Sequence, residues 1–295
     1  MDEAKVRESL ESLKSQVAEL EMLLTPEVET AASESVEGPL YGIDPCKVGL
    51  HLLKDKWRQK SFIKHHCDQL LDAERLQRTI EVTRICAPQR TVQQGFLISD
   101  SLRTPKDKIT KGTERWLEAQ IFDLYELANP NLPPCPLWKG ICARQVPLFD
   151  KAAKGGWGEV DLIAVGNEGH PTVVELKLHK VGAEPPQRPL FEGVAYSIAL
   201  SKCWNSFWPE WDAVLQGIDF NGEKVNESKQ VDVVLLAPDS YWDYWLNQRQ
   251  YRDAKLSYRT LIGRFADHGV RVQIAGVTMT DGNPSEVHGR DDFLE

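Results

Sequence analysis

Two short segments of the chain carry charged side chains in an alternating order that suits metal-assisted hydrolysis. In the sequence Val-Val-Glu-Leu-Lys, which ends at Lys177, the charged residues Glu175 and Lys177 are separated by one apolar residue. In Glu-Val-Asp-Leu-Ile, which begins at Glu159, Glu159 and Asp161 are spaced in the same way. Alternate side chains of a strand share a face, so each segment, as a strand, presents two charged groups on one face and apolar groups on the other.

The residues between these two segments, 166–169, are Gly-Asn-Glu-Gly, which is typical of a tight turn between antiparallel strands. Such a hairpin can bring Asp161 beside Glu175, and two close carboxylates repel each other unless a cation joins them. Mg²⁺ prefers oxygen ligands and keeps several waters, so one or two carboxylates and a phosphate oxygen suffice to hold it. The ammonium of Lys177 can orient an attacking water and stabilise negative charge in the transition state. We therefore predict phosphodiester hydrolysis with Mg²⁺, for which Mn²⁺ can substitute.

The surrounding sequence predicts the elements that position these side chains. Apolar residues recur with helical spacing from Thr113 to Leu127 and predict a first core helix that ends before Asn129-Pro130. Apolar runs after this helix predict the following elements in chain order: strands at 143–149, 159–165 and 172–178, a helix at about 189–202, a strand at 231–237, a long helix at about 241–267 and a strand at 270–277.

Val160-Asp161, thirteen intervening residues and Glu175-Leu176-Lys177 resemble the signature of the PD-(D/E)XK nuclease superfamily, with Val160 at the position of the family's Pro. The resemblance implies an α/β fold with a restriction-endonuclease-like core, in the order helix, three-strand meander, helix, strand, helix, strand. It also implies that Asp161 and Glu175 bind the metal, that the backbone carbonyl of Leu176 adds a ligand, and that Lys177 serves the attacking water.

The same resemblance implies further residues at the site. The family often adds an acidic residue from its first helix, for which Glu114 is the choice and Glu118, one turn later, is the alternative. Some members place a Gln and a Tyr four residues apart on the next helix, where this chain has Glu192 and Tyr196 as candidate substrate contacts. Gln187 is an alternative polar contact to the substrate.

The chain is divided into five regions by its periodicity and composition. Six apolar residues near the N-terminus follow the seam spacing of a coiled coil, and they are Val6, Leu10, Leu13, Val17, Leu20 and Leu24. We predict a coiled-coil helix at 1–24, a linker at 25–43, a basic and mainly helical accessory region at 44–110, the nuclease-like domain at 111–280 and a flexible tail at 281–295. The N-terminal helix can form a homodimer or fold back on its own chain.

The distribution of charge bears on the partner. The formal net charge is −9, but residues 44–111 carry a balance of +6 between acidic segments of −7 and −8. The basic segment is where phosphate contacts are expected, so DNA is the predicted partner. Cleavage of RNA is an alternative, as is a DNA-binding or assembly subunit that keeps the fold without catalysis.

The bulk composition excludes some classes of protein. The chain has 295 residues, of which 41% are hydrophobic, so it can bury a full-sized core. It has no run of about 18 apolar residues, and its first residues are charged, which predicts a cytoplasmic protein without a membrane span. Its six cysteines form no regular framework, and we expect free thiols.

Overall fold

The computed structural model describes most of the chain beyond residue 44. The described residues are 45–53, 62–88, 95–97, 109–148, 157–178, 184–220 and 229–295. The predicted coiled-coil helix at 1–24 and the linker at 25–43 lie outside them.

Within the described residues, helices pack on a six-stranded sheet. In chain order the helices are α1 (Pro45–Leu53), α2 (Phe62–Leu70), α3 (Ala73–Cys86), α4 (Glu114–Tyr125), α5 (Gln187–Lys202), α6 (Trp204–Leu215), α7 (Asp239–Asn247) and α8 (Arg249–Asp267), with a final 3-10 turn at Asp291–Phe293. The strands are β1 (Trp138–Pro147), β2 (Glu159–Gly166), β3 (Pro171–Leu176), β4 (Asp232–Pro238), β5 (Val272–Thr280) and β6 (Asn283–Gly289). The predicted mixed α/β organisation is confirmed.

The strands lie side by side in chain order, from β1 to β6. The pairs β1–β2, β2–β3 and β5–β6 are antiparallel, whereas β3–β4 and β4–β5 are parallel. The hairpin predicted between β2 and β3 is therefore present, with Gly169 at φ 83 in its turn. Glycine adopts this left-handed conformation without the steric cost that a Cβ adds.

Each face of the sheet is covered by a different set of helices. Helix α4 packs on one face through Leu117 and Ile121, which meet Leu162, Val174 and other residues of that face. Helix α5 packs on the opposite face, where α1 and α3 pack against α5 in turn. Helix α5 is buried on all sides along most of its length, so it fixes the side chains that it directs at the sheet.

The region predicted as a helical accessory segment is helical in its described parts, α1 to α3. It does not form a core of its own, because Leu50, Leu70 and Ile80 join the apolar cluster beneath α5. The aromatic residues Trp204, Phe207 and Trp211 also belong to this cluster, so their main role is packing.

Two predictions about the C-terminal third are wrong. The single helix predicted at about 241–267 is two helices, because Gln248 has an extended backbone (φ −77, ψ 129) between α7 and α8. The flexible tail predicted at 281–295 instead contains β6, which pairs with β5, and the fully buried Phe293. Its polar composition concealed an edge strand, whose exposed face needs no apolar residues.

No helix in the described part of the chain is long and apolar enough to cross a membrane. The five cysteines whose side chains are described are free thiols, as predicted for them.

Candidate active site

The β2–β3 hairpin brings the two predicted carboxylates together. Its paired register ends at Leu162 and Val174, so Asp161 and Glu175 are the next residues of the two strands beyond this last pair. The two carboxylates are close enough for Asp161 to repel the charge of Glu175. The Leu176 N–H donates to Oδ2 of Asp161 at 2.8 Å, so this carboxylate is held across the end of the hairpin.

Lys177 lies at the centre of the acidic side chains. Its Nζ is 2.9 Å from Oε1 of Glu175, 3.5 Å from Oε1 of Glu114 and 3.5 Å from Oε2 of Glu192. Lys177 is 5% exposed and Glu175 is 2% exposed. We call these four residues and Asp161 the Lys177 cluster. It combines side chains from β2, β3 and the segment after β3 with side chains from α4 and α5.

Helix α5 supplies Glu192 and Tyr196 one turn apart. The Tyr196 hydroxyl donates to Oε1 of Glu192 at 3.0 Å, while the other oxygen of Glu192 faces Lys177. The hydroxyl also lies close to the backbone before β2, because a Cβ on Gly158 would be 2.5 Å from it. A residue larger than glycine at 158 would therefore displace Tyr196. The structure thus places this predicted pair at the cluster.

Helix α4 carries both candidates for the additional acid. Thr113 caps the helix by accepting from the Trp116 N–H at 3.2 Å, which directs the first turn and Glu114 toward Lys177. Glu118 instead accepts from Nε2 of Gln145 at 3.2 Å and lies 3.8 Å from Nη1 of Arg144. Burial and the charge of Asp161 raise the pKa of Glu118 to about 8. Glu114 contacts Lys177, whereas Glu118 contacts Gln145 and Arg144 of β1.

The electrostatics of the cluster are dominated by its burial and its excess of carboxylates. Burial raises the pKa of Asp161 to about 7, although Lys177 opposes this shift. Burial and repulsion from Asp161 and Glu192 raise the pKa of Glu175 well above its ordinary value. Burial alone would lower the pKa of Lys177, but the surrounding carboxylates raise it well above the ordinary range. The metal-free site therefore holds an ammonium and carboxyl groups that retain protons near neutral pH.

Gln187 is placed differently from the other predicted residues. It is fully buried, and its amide makes no hydrogen bond within the described part of the chain. At 3.6 residues per turn, Gln187 is rotated by about 140° from Glu192 around α5. A substrate contact from Gln187 stays a prediction, and it is not part of the Lys177 cluster.

The sequence interpretation missed two sets of residues near the site. Arg188 extends the α5 side of the cluster, since its Nε is 2.8 Å from Oε2 of Glu184 and 3.9 Å from Oε2 of Glu192. Residues 184, 188, 192 and 196 are spaced four apart, and this spacing on a helix could have indicated that they lie on one face. Arg144 and Gln145, the partners of Glu118, had no such signal.

The cluster has the type of donor that a hard cation such as Mg²⁺ prefers, but its described residues are not arranged around an ion. Oε2 of Glu175 is buried and has no hydrogen-bond partner within the described residues. Carboxylate oxygens are the ligands that Mg²⁺ prefers, and one or two are sufficient for it. The described ranges contain no group of three or more His, Cys, Asp or Glu residues arranged to hold a metal ion. The other oxygen of Glu175 accepts a hydrogen bond from Lys177, and one oxygen of Asp161 accepts a hydrogen bond from the Leu176 N–H.

The chain was compared with protein-family models, with curated protein sequences and with solved structures, and none of them matches.

The raised pKa of Asp161 predicts how stability depends on pH. Below about pH 4 this carboxyl is protonated in both the folded and the unfolded chain. Between about pH 4 and 7 only the folded chain keeps the proton, so stability is lost as the pH rises. Asp161→Asn should remove this loss and raise the free energy of unfolding of the metal-free protein by up to about 4 kcal/mol at pH 7.5.

Urea unfolding at pH 4 and at pH 7.5 in the presence of EDTA measures this effect. Glu159→Gln is the control, because Glu159 is exposed at the start of the same strand. Equal changes in Asp161→Asn and Glu159→Gln at pH 7.5 would contradict the prediction.

Proposed function

We propose that the protein is a metal-dependent nuclease of the PD-(D/E)XK type that hydrolyses phosphodiester bonds, most readily in DNA. The observation that carries this proposal is the buried Lys177 ammonium enclosed by carboxylates, two of which, Asp161 and Glu175, follow the last paired residues of the β2–β3 hairpin. The order of elements from α4 through β5 also supports a restriction-endonuclease-like core. We propose that core for residues 111–280.

The carboxylates have the task of binding the cation. Asp161 and Glu175 would hold Mg²⁺ or Mn²⁺ with Glu114, and the carbonyl of Leu176 would add a ligand. A bound cation supplies Lewis-acid stabilisation of the phosphate oxygens and lowers the pKa of a bound water. Carboxylates with raised pKa values release their protons when a cation replaces them, so the excess of buried carboxylates favours binding of a cation.

Lys177 has a different task. Because its pKa is raised well above the ordinary range, it stays an ammonium and cannot accept a proton from water at neutral pH. It acts instead as a hydrogen-bond donor that orients the attacking water and offsets negative charge in the transition state. Glu192, on α5, orients the Lys177 side chain through their ion pair, and the hydroxyl of Tyr196 orients Glu192 through a hydrogen bond.

The surface of the helical region supports a phosphate-containing partner. Helices α2 and α3 expose four basic side chains, Lys64, Arg75, Arg78 and Arg84, against three acidic ones, Asp68, Glu74 and Glu81. These residues belong to the basic segment, whose charge balance is +6 in a chain of −9. Basic side chains that neutralise phosphates give affinity without sequence preference.

Incubation with nucleic acids tests the proposal. Linear, circular, single-stranded and branched DNA, and a matched RNA, are each incubated with the protein in Mg²⁺, in Mn²⁺ and in EDTA. Cleavage is expected with either cation and is expected to stop in EDTA.

Two variants and two controls make this test specific. Asp161→Ala and Lys177→Ala should abolish cleavage, whereas the exposed Asp253→Ala and Lys229→Ala should not change it. An absence of cleavage on every substrate, with binding to DNA retained, would replace the enzyme by a DNA-binding subunit.

A further inference from the structure

The backbone of β1 contains an unusual conformation beside the site. Gln145 has φ 51 inside this strand, and the only other residue with positive φ in the described ranges, glycines aside, is Asp281. A residue with a Cβ pays a steric cost in this left-handed region, and such residues cluster at functional sites when the surrounding structure holds them there.

The side chain of Gln145 is directed by this conformation. Consecutive residues of a regular strand point to opposite faces, but Arg144 and Gln145 both reach Glu118 on α4. The left-handed backbone at Gln145 permits this arrangement. The hydrogen bond between the Gln145 amide and the Glu118 carboxylate ties the strand to the helix at this point.

At the same position, the side chains of β1 and β2 change the face of the sheet to which they point. The register pairs Arg144 with Leu162 and Val146 with Val160, which sets Gln145 opposite Asp161. Val146 and Val160 pack in the core beneath α5. Leu162, two residues beyond Val160, packs on the α4 side instead. Regular alternation would place Val160 and Leu162 on the same face, so the strand rotates at Asp161.

We infer that Gln145 is a positioning residue for Asp161. Its left-handed backbone, held by Glu118, rotates the β1–β2 pair and sets the direction from which the Asp161 carboxylate meets the Leu176 N–H. Local irregularities of this kind redirect side chains next to active sites. The consequence for metal binding rests on the proposed function, whereas the position of Asp161 can be tested without a metal or a substrate.

The Leu176 amide reports that position directly, because its N–H donates to Asp161. Its proton and nitrogen chemical shifts would be measured by NMR in ¹⁵N-labelled, metal-free protein. Asp161→Ala gives the reference for a lost hydrogen bond. Gln145→Ala and Gln145→Gly should both shift the Leu176 amide proton upfield toward that reference. An unchanged Leu176 amide in both variants would overturn the inference.

The two Gln145 variants separate positioning from stability. Both lack the amide, but glycine removes the steric cost of φ 51, so Gln145→Gly should unfold at a higher temperature than Gln145→Ala. Asp281→Gly and Asp281→Ala are the matched controls. The glycine variant of this pair should also unfold at the higher temperature, and neither should change the chemical shifts of the Leu176 amide. Recovery of the Leu176 shift in Gln145→Gly would mean that the left-handed backbone persists without the hydrogen bond to Glu118, and this result would also overturn the inference that Gln145, held by Glu118, positions Asp161.

Titration with Mn²⁺ then tests the link to the proposed site. Partners that orient metal ligands typically contribute about 10–100-fold to affinity, so both Gln145 variants should bind Mn²⁺ at least about tenfold more weakly than the wild type. If the wild type binds no Mn²⁺, the proposed function fails, and the Leu176 amide still decides the role of Gln145.

Discussion

Lys177→Met is expected to lower the rate of phosphodiester cleavage by about 10²–10⁴-fold, the range attributed to a positioned group that assists proton transfer or stabilises developing charge. The ammonium that orients water is lost, while the methionine keeps most of the volume of the lysine. The variant also leaves Glu175, Glu192 and Glu114 without their shared partner. Cleavage is therefore measured per folded molecule, with the folded fraction taken from circular dichroism.

Lys202→Met is the matched control for this substitution. Nζ of Lys202 donates to the carbonyls of Ile85 and Ala87 at 3.0 and 2.8 Å, so it stabilises the end of α3 without contacting the cluster. It should lower stability and leave the rate per folded molecule unchanged. A Lys177→Met protein that cleaves DNA at the wild-type rate would remove Lys177 from the mechanism.

Glu175→Gln is expected to reduce Mg²⁺-dependent cleavage by about 10²–10³-fold, because a ligand of the cation is worth several kcal/mol and each 1.36 kcal/mol is a factor of ten in rate. The same change should stabilise the metal-free protein at neutral pH. Burial and repulsion from neighbouring carboxylates raise the pKa of Glu175, so its charged form is unfavourable in the folded chain. Opposite effects on activity and stability are characteristic of a functional site.

Cleavage assays and thermal unfolding in EDTA measure the two effects of Glu175→Gln. Glu168→Gln is the control, since Glu168 has a side chain that is 59% exposed and pairs with Arg271 at the far end of the hairpin. It should change neither the cleavage rate nor the affinity for Mn²⁺. Loss of activity together with loss of stability in Glu175→Gln would indicate a structural carboxylate instead of a metal ligand.

The fold could be predicted from the sequence where apolar periodicity was strong. The segments of β2 and β3 alternate or are continuously apolar, and the turn between them is rich in glycine, so the hairpin follows from local sequence. Helix α6 was not predicted, although its aromatic residues Trp204, Phe207, Trp208 and Trp211 have the spacing of one helical face. Strand β6 was not predicted, because an edge strand in contact with solvent lacks an apolar pattern.

The candidate site was predictable in its strand residues and less so in its helical ones. Asp161, Glu175 and Lys177 follow from alternation on two neighbouring strands, and the structure brings them together with Glu114, Glu192 and Tyr196. The choice between Glu114 and Glu118 could not be made from spacing, because both lie on about the same face of α4. In the structure Glu114 contacts Lys177 and Glu118 does not, while the choice of metal ligand stays a prediction.

Gln145 illustrates what sequence patterns cannot contain. Nothing in its neighbours indicates a left-handed backbone, since glycine and asparagine are the usual residues there. The conformation depends on Glu118, which is 27 residues earlier in the chain. Such a contact exists only after α4 has packed on the sheet.

The attachment of α4 to the last strand has a consequence for the order of folding. The hydroxyl of Tyr125 accepts from the Val287 N–H at 2.9 Å, across 162 residues. Contacts of such long range form late, because closing a long loop costs entropy before packing repays it. We expect α4, and with it the contact of Glu114 with Lys177, to dock late in folding, so that repulsion among the carboxylates arises after the rate-limiting step. Removing a charge from the cluster is then expected to slow unfolding and to leave the folding rate unchanged.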